Sequence, residues 1–477
     1  MGFKPLLRHN TLRLPGNKMA GILKAYKNIS LCAFLSLFIT GCASSSLFNP
    51  YPKQAQSYLR AIQNNNITTQ TAKLVDKRST ADNLLYMQES GRLNQINQAY
   101  PASQEDFEFV IRRYSDLDSK AKISVGDLAA QGASLISNEN AIPYDGAAYE
   151  RIFAHQFQVF NYLAAQDIEA ASVEVRRAAA EQRRLELEYS KDIAKAEAEA
   201  KNNGLTDKQW INEPQLSGMN SLASEVRSSF LNAYTFYTSA VIWEAQHDYN
   251  AALVDYKKAL QIHPQNAHLL AAIKRVSEAQ DKRFRSQENS PGKLVILFEE
   301  GFVARKQSFT INIPSFHYAT YFNIAFPYYD SAHWPVSQTL SVKQGEKLLG
   351  NSHILVDVSA LAVKSLQEQT TALMLRQVLR AKVKYEMQQK ASEQGQLGGF
   401  LATLYNIISE QADLRSWLTL PNTAQAFYHE FPAGAQEISL QSLNKQHTLE
   451  VNIIAGHTTI LRVIDAGNRF IVQPFIL

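Results

Sequence analysis

Four charged residues close a short apolar run in the second half of the 477-residue chain: Glu299, Glu300, Arg305 and Lys306 follow KLVILF. Adjacent carboxylates can raise one another's pKa or share a cation, and the two cations that follow could hold an anion. A second account needs no chemistry, because a buried strand that exits through charge stays soluble. His317, in SFHYATYF, and His333, in DSAHWP, lie among aromatics. Neither has a second ligand at helical spacing, which points to surface or core histidines rather than a metal site. The chain has no HExxH, no GxSxG elbow, no GxxxxGKS/T loop and no cysteine placed as a nucleophile. Carboxylate hydrolases carry no short signature, so they form the residual enzyme class. The expectation is a non-enzyme without cofactor or metal. The alternative is a glycan-binding or hydrolytic module built on a loop at Glu299 and Glu300.

The one cysteine with evident chemistry is Cys42. Ahead of it stand Lys4, Arg8, Arg13, Lys18, Lys24 and Lys27, no acid, and the apolar run LCAFLSLFITGC. A basic leader, an apolar stretch too short for a mature span and small residues before a cysteine make an export signal. MAGILKAYKNIS offers Met19 as an alternative start. Ile39-Thr40-Gly41-Cys42 resembles the lipobox of bacterial lipoproteins, which implies a signal peptide over residues 1–41 and a covalent lipid on Cys42. Ala43, rather than Asp, implies by resemblance to enteric lipoproteins the periplasmic face of the outer membrane. Removing six cations and no acid takes the net charge from +4 to −2. The basic character therefore belongs to the leader, and no nucleic-acid surface is expected. Cys32 leaves with the leader, so no disulfide or thiolate metal site fits one mature chain.

Residues 42–57 read as a polar tether with two prolines. Residues 58–286 read as helices in pairs, most clearly over 236–264. There Trp243 lies in a first helix, and Ala252, Tyr256 and Ala259 line one face of a second, which Pro264 ends. This is the pattern of a tetratricopeptide repeat, a fold unit without chemistry of its own. A weaker copy places Met87, Gly91, Tyr100, Ser103, Phe107 and Val110 at equivalent positions. A third places Tyr162, Asp167, Ile168, Ala171, Val175 and Ala178 there. Insertions separate the units, one of them an irregular connection over 125–149. The second helix of the middle unit runs on in mixed charge to Asn203-Gly204, as a solvated helix or a coiled-coil partner site.

Residues 287–477 change character. KLVILFEEG, SFTINIP and YFNIAFPYY read as strands, and after Leu420-Pro421 five more follow with turns at Pro432-Ala433-Gly434, Gly456 and Gly467. The expected fold class is thus an all-α repeat domain followed by an α+β domain, an antiparallel β-sandwich or meander with inserted helices over 365–412. Within these, 397–408 is apolar nearly all round, a buried core helix or a segment that dips into lipid.

YERIFAHQFQVFNYLAAQDIEAASVEVRRA, KLVILFEEGFVARK and ADLRSWLTLPNTAQAFYHEFPAGAQEISL together resemble blocks of a family of bacterial outer-membrane lipoproteins with tetratricopeptide-like repeats. The resemblance implies an anchored periplasmic protein in an envelope context near peptidoglycan synthesis. The expected activity is a scaffold whose concave repeat face holds an extended peptide or helix of another envelope protein. The lipid adds the membrane as a partner, and peptidoglycan is a further candidate.

Overall fold

The computed structural model describes residues 49–124, 142–203, 212–281, 291–314, 321–393 and 411–477. The expected signal peptide, Cys42, His317 and the apolar stretch 397–408 lie outside the described residues. Helices come first: α1 (Tyr51–Gln63), α2 (Ile67–Val75), α3 (Asn83–Ile96), α4 (Tyr100–Ser124), α5 (Ala148–Ala164), α6 (Ile168–Asn202), α7 (Pro214–Ala223), α8 (Ala233–Ala245), α9 (Tyr249–Ile262) and α10 (Ala267–Asp281).

Among the described residues, four of the connections are the same turn. The pairs α1–α2, α3–α4, α5–α6 and α8–α9 are each joined by three residues, and the middle one (Asn65, Gln98, Gln166, His247) has φ of 56–60°. The next N–H then reaches back to close the first helix: Asn66 to the Ala61 carbonyl, Ala99 to Asn94, Asp167 to Tyr162 and Asp248 to Trp243, at 2.8–2.9 Å. This left-handed cap satisfies carbonyls that a helix end otherwise leaves open. Asp167 and Asp248 also start the next helix, accepting from the N–H groups of Ala170 (2.9 Å) and Ala251 (3.0 Å).

Small residues set how closely the paired helices approach. A methyl on Gly91 would lie 3.0 Å from the Phe107 ring, so α3 and α4 meet only because this position has no side chain. Phe107, Ala171, Val175, Ala178, Trp243, Ala252, Tyr256 and Ala259 are buried. Tyr100 and Tyr162 are partly exposed, and Pro264 is exposed just past the end of α9.

The expected tether is too long. Helix α1 begins at Tyr51 and buries Tyr51, Ala55 and Tyr58, because Pro52 falls in the first turn, where its missing N–H costs nothing. The inserted helix also starts early: α11 (Val358–Glu393) begins at the end of a strand, where the Asp357 carboxylate accepts from Ala360 N–H at 2.7 Å. Residues 411 and 412 are not helical.

The strands are β1 (Gly292–Glu300), β2 (Gln307–Pro314), β3 (Tyr321–Tyr328), β4 (Ser341–Gln344), β5 (Lys347–Asn351), β6 (His353–Asp357), β7 (Thr423–Phe431), β8 (Gly434–Ser442), β9 (Lys445–Ile453), β10 (Thr458–Asp465) and β11 (Phe470–Ile476). A five-stranded sheet has the order β11-β10-β1-β7-β6, a four-stranded sheet β5-β4-β8-β9, and β2-β3 form a hairpin. The five-stranded sheet is mixed, since β1 and β10 run parallel, while the four-stranded sheet and the hairpin are antiparallel throughout. Leu294, Ile296 and Phe298 of β1 face the four-stranded sheet, while Val295 and Leu297 face the helices. A strand covered on both faces needs apolar residues at every position, which accounts for the unbroken run in KLVILF. Pro50–Leu477 forms one compact unit, whose largest core joins helix residues such as Phe157 to strand residues such as Val295 and Ile460. The change of composition near residue 287 separates helices from strands without separating two cores.

Candidate functional site

The carboxylate singled out at the end of β1 lies inside the molecule. Glu299 is not in a loop; it is the helix-facing residue next in line after Val295 and Leu297, and it is fully buried. Arg92 of α3 donates to it at 2.5 Å, and Arg462 of β10 donates through Nε at 2.7 Å and Nη2 at 3.1 Å. Burial alone would push its pKa up, but Arg462 and Arg92 beside it hold the carboxyl below its ordinary value. The guanidiniums are sealed in turn. Arg92 sits over the Phe157 ring at 4.5 Å and Arg462 over Phe160 at 4.2 Å, and Arg462 Nη1 donates to Gln95 of α3 at 2.6 Å. Burial lowers Arg92 to about 10. The cluster ties α3 to two neighbouring strands.

Its expected companions are elsewhere. Glu300 turns to the opposite face of the sheet, where it accepts from Asn422 (3.0 Å) and Thr423 (3.1 Å), and burial raises its pKa. Arg305 is exposed, and Lys306 donates to the Arg415 carbonyl at 2.9 Å. The four residues therefore occupy separate environments and do not form one constellation. A soluble charged exit is not the explanation either, since both glutamates are buried at the strand end.

A second set of buried carboxylates, missed in the sequence, holds an extended segment of the chain across the helices. Glu150 of α5 accepts from Trp417 N–H at 2.9 Å. Glu89 of α3 accepts from Leu418 N–H at 2.9 Å and from the Thr419 hydroxyl at 2.5 Å. Arg92 Nε donates to the Thr419 carbonyl at 3.3 Å, and Arg415 pairs with Asp82 at 2.6 Å. The Trp417 ring is fully buried, 5.8 Å from Phe107 and 5.5 Å from Phe157. Burial raises Glu89 to about 7, opposed by its bonds from Thr419, Tyr51 and Leu418, and burial also raises Glu150. Two carboxylates thus satisfy main-chain N–H groups that no strand partner reaches, which lets a non-helical, non-sheet segment lie in a dry core.

Together these contacts fill the sheet-facing side of the helix pairs. Phe160 stacks on Phe475 of β11, and Glu244 of α8 pairs with Lys293 of β1 at 2.9 Å and Arg275 of α10 at 2.7 Å. Burial would raise Glu244, but Arg275 and Lys293 lower it to about 2. Among the described residues, the chain's own segment and sheet cover the side of α3, α5 and α8 that faces them.

Beside the segment lies a polar cavity of about 120 Å³, lined among others by Tyr144, Glu150, Lys306, Tyr329, Asp413 and Arg415. Glu150 accepts there from Tyr144 at 2.5 Å, and Asp413 is bound through both oxygens by Arg415, at 2.9 and 2.8 Å. Burial would raise Asp413, but Arg415 holds it below its ordinary value. Two carboxyls whose surroundings push their pKa values in opposite directions are the raw material of acid–base chemistry. Among the described residues no group of histidine, cysteine or carboxylate side chains is arranged to hold a metal ion. The signal for these residues was present as single acids in helical stretches that are otherwise apolar or uncharged apart from one arginine, in YMQESGR and AYERIF, and in the charged and aromatic block DLRSW. Compared with known proteins, the chain matches no family model, no curated protein and no solved structure.

Proposed function

We propose that the chain is a lipoprotein anchored to the periplasmic face of the outer membrane. In this reading it acts as a scaffold of tetratricopeptide-like helix pairs that binds another envelope protein during envelope or peptidoglycan assembly. One observation carries the reading: successive pairs share the same left-handed turn at Gln98, Gln166 and His247, and the same buried small residue early in the second helix, at Ser103, Ala171 and Ala252. Units built alike stack into an extended surface suited to binding. Since the sheet-facing side is filled by the chain itself, the partner binds the outward side, formed by α4, α6 and α9. A photoreactive residue in place of exposed Val254 on α9 tests this in cells. The expected result is a discrete protein adduct; no adduct above background at any outward position would overturn the scaffold. Cys42→Ala should abolish palmitate labelling and release the protein from the membrane, and normal labelling would refute the anchor.

A second reading, glycan binding or hydrolysis, moves from Glu299 and Glu300 to the polar cavity, which Glu150 and Asp413 both line and where their pKa values shift in opposite directions. Purified full chain incubated with peptidoglycan should then retain or cleave it, and Asp413→Asn should remove the effect. Equal behaviour of variant and wild type would end this reading.

A further inference from the structure

Between α6 and α9, on the outward side, lies an open groove of about 360 Å³, floored by Phe236 of α8. Leu231 and Ile262 extend the apolar floor, and the rim carries Arg183, Arg227 and Lys258 against a single acid, Glu186. Lys258 is partly committed: it sits 5.2 Å from the Phe236 ring and pairs with Asp255 at 2.8 Å. Arg227 donates to the Gln261 carbonyl at 3.3 Å, and Arg183 is exposed. Among the described residues neither arginine has a carboxylate partner, in contrast to Arg151 and Arg184, which pair with acids. Gln182, buried to 2 % exposure, also lines the groove; its oxygen accepts from Asn232 N–H, and its Nε2 has no partner.

We propose that this groove binds a short acidic peptide segment of a partner protein. Its carboxylates meet Arg183 and Arg227, and an apolar side chain rests on Phe236. Charge complementarity selects this occupant: a basic rim around an apolar floor repels cationic peptides and leaves neutral ones without partners for two arginines. The volume suits one or two side chains rather than a whole helix. The inference rests on the scaffold reading and names the class of partner.

The test uses the full chain purified in detergent and two fluorescein-labelled hexapeptides, Glu-Leu-Asp-Phe-Glu-Leu and its amide analogue Gln-Leu-Asn-Phe-Gln-Leu. Anisotropy titration should show the acidic probe binding at least about tenfold more tightly than the amide probe, a difference of about 1.4 kcal/mol. The double variant Arg183→Glu, Arg227→Glu should lose that preference. Arg112→Glu, an exposed charge on α4, should keep it. Equal affinity for the two probes, unchanged affinity in the double variant, or no binding of the acidic probe would each overturn the groove. Photoreactive residues at positions 183 and 254 separate this failure from that of the scaffold. Adducts at 254 and none at 183 reject the groove alone, and adducts at neither reject both.

Discussion

The two sides of the helix pairs use the same residue types for opposite ends. On the sheet-facing side, Arg92, Arg462 and Glu299 are almost wholly buried and bind one another. On the outward side, Arg183 and Arg227 stand in water above an apolar floor. Burial makes the difference. Two guanidiniums share one carboxylate in a dry core, and losing that carboxylate would leave both buried cations uncompensated. The same groups at a wet rim cost little to hold and remain available to a ligand. The helix array is therefore covered by the chain itself on its sheet-facing side, while the groove between α6 and α9 lies on the other.

This contrast can be broken most forcefully at its centre. Glu299→Ala should leave two buried guanidiniums facing each other and cost about 3–5 kcal/mol; urea unfolding of the full chain would measure it, and a loss below about 1 kcal/mol would mean that water reaches the cluster. Trp417→Ala removes the ring packed on Phe107 and Phe157 and should cost a similar amount, about 3–5 kcal/mol. Hydrogen exchange should then rise first at Leu418, and protection unchanged there would show that the carboxylates alone hold the segment.

The pH dependence sharpens the comparison next. Glu89 is raised from 4.5 to about 7 by burial, so the folded chain binds its proton more tightly than the unfolded chain. Its contribution is favourable below pH 4.5 and is lost as pH rises through about 7, a change of about 3 kcal/mol. Glu89→Gln should flatten this fall between pH 4.5 and 7 in paired unfolding series; parallel curves would show that Glu89 does not titrate there. Gly91→Ala forces a methyl against the Phe107 ring and should cost about 1–3 kcal/mol, read as a lowered Tm. Smallest is Arg183→Glu, expected to change stability by less than about 0.5 kcal/mol while altering the groove's preference for acidic peptide. A large loss of stability would make Arg183 part of the fold instead.

Much of the framework was legible in the chain, and for local reasons. Asp167 and Asp248 marked two turns because a capping carboxylate acts on an N–H three residues away. Gly434, Gly456 and Gly467 marked strand ends because each takes a positive φ. The pair α1–α2 escaped notice: its turn, Asn64-Asn65-Asn66, has the same geometry, but two prolines ahead of it suggested a tether. The site was less legible. Glu299 stood out as a carboxylate beside another, yet its partners are Arg92 and Arg462, 207 and 163 residues away in sequence. Spacing along the chain carries no trace of such pairs, whose geometry exists only once the sheet has packed on the helices.

What the amino-acid sequence determined by itself is the set of units: which stretches are helices or strands, where each turns, and which small residues let helices touch. These follow from φ preferences, caps and periodicity, all acting within about one or two turns of chain. Only the tertiary structure decided which face of those units is covered by the rest of the protein. The choice depends on residues 415–420 crossing the helices and on Arg462 arriving beside Glu299, long-range pairings whose strength comes from the exclusion of water.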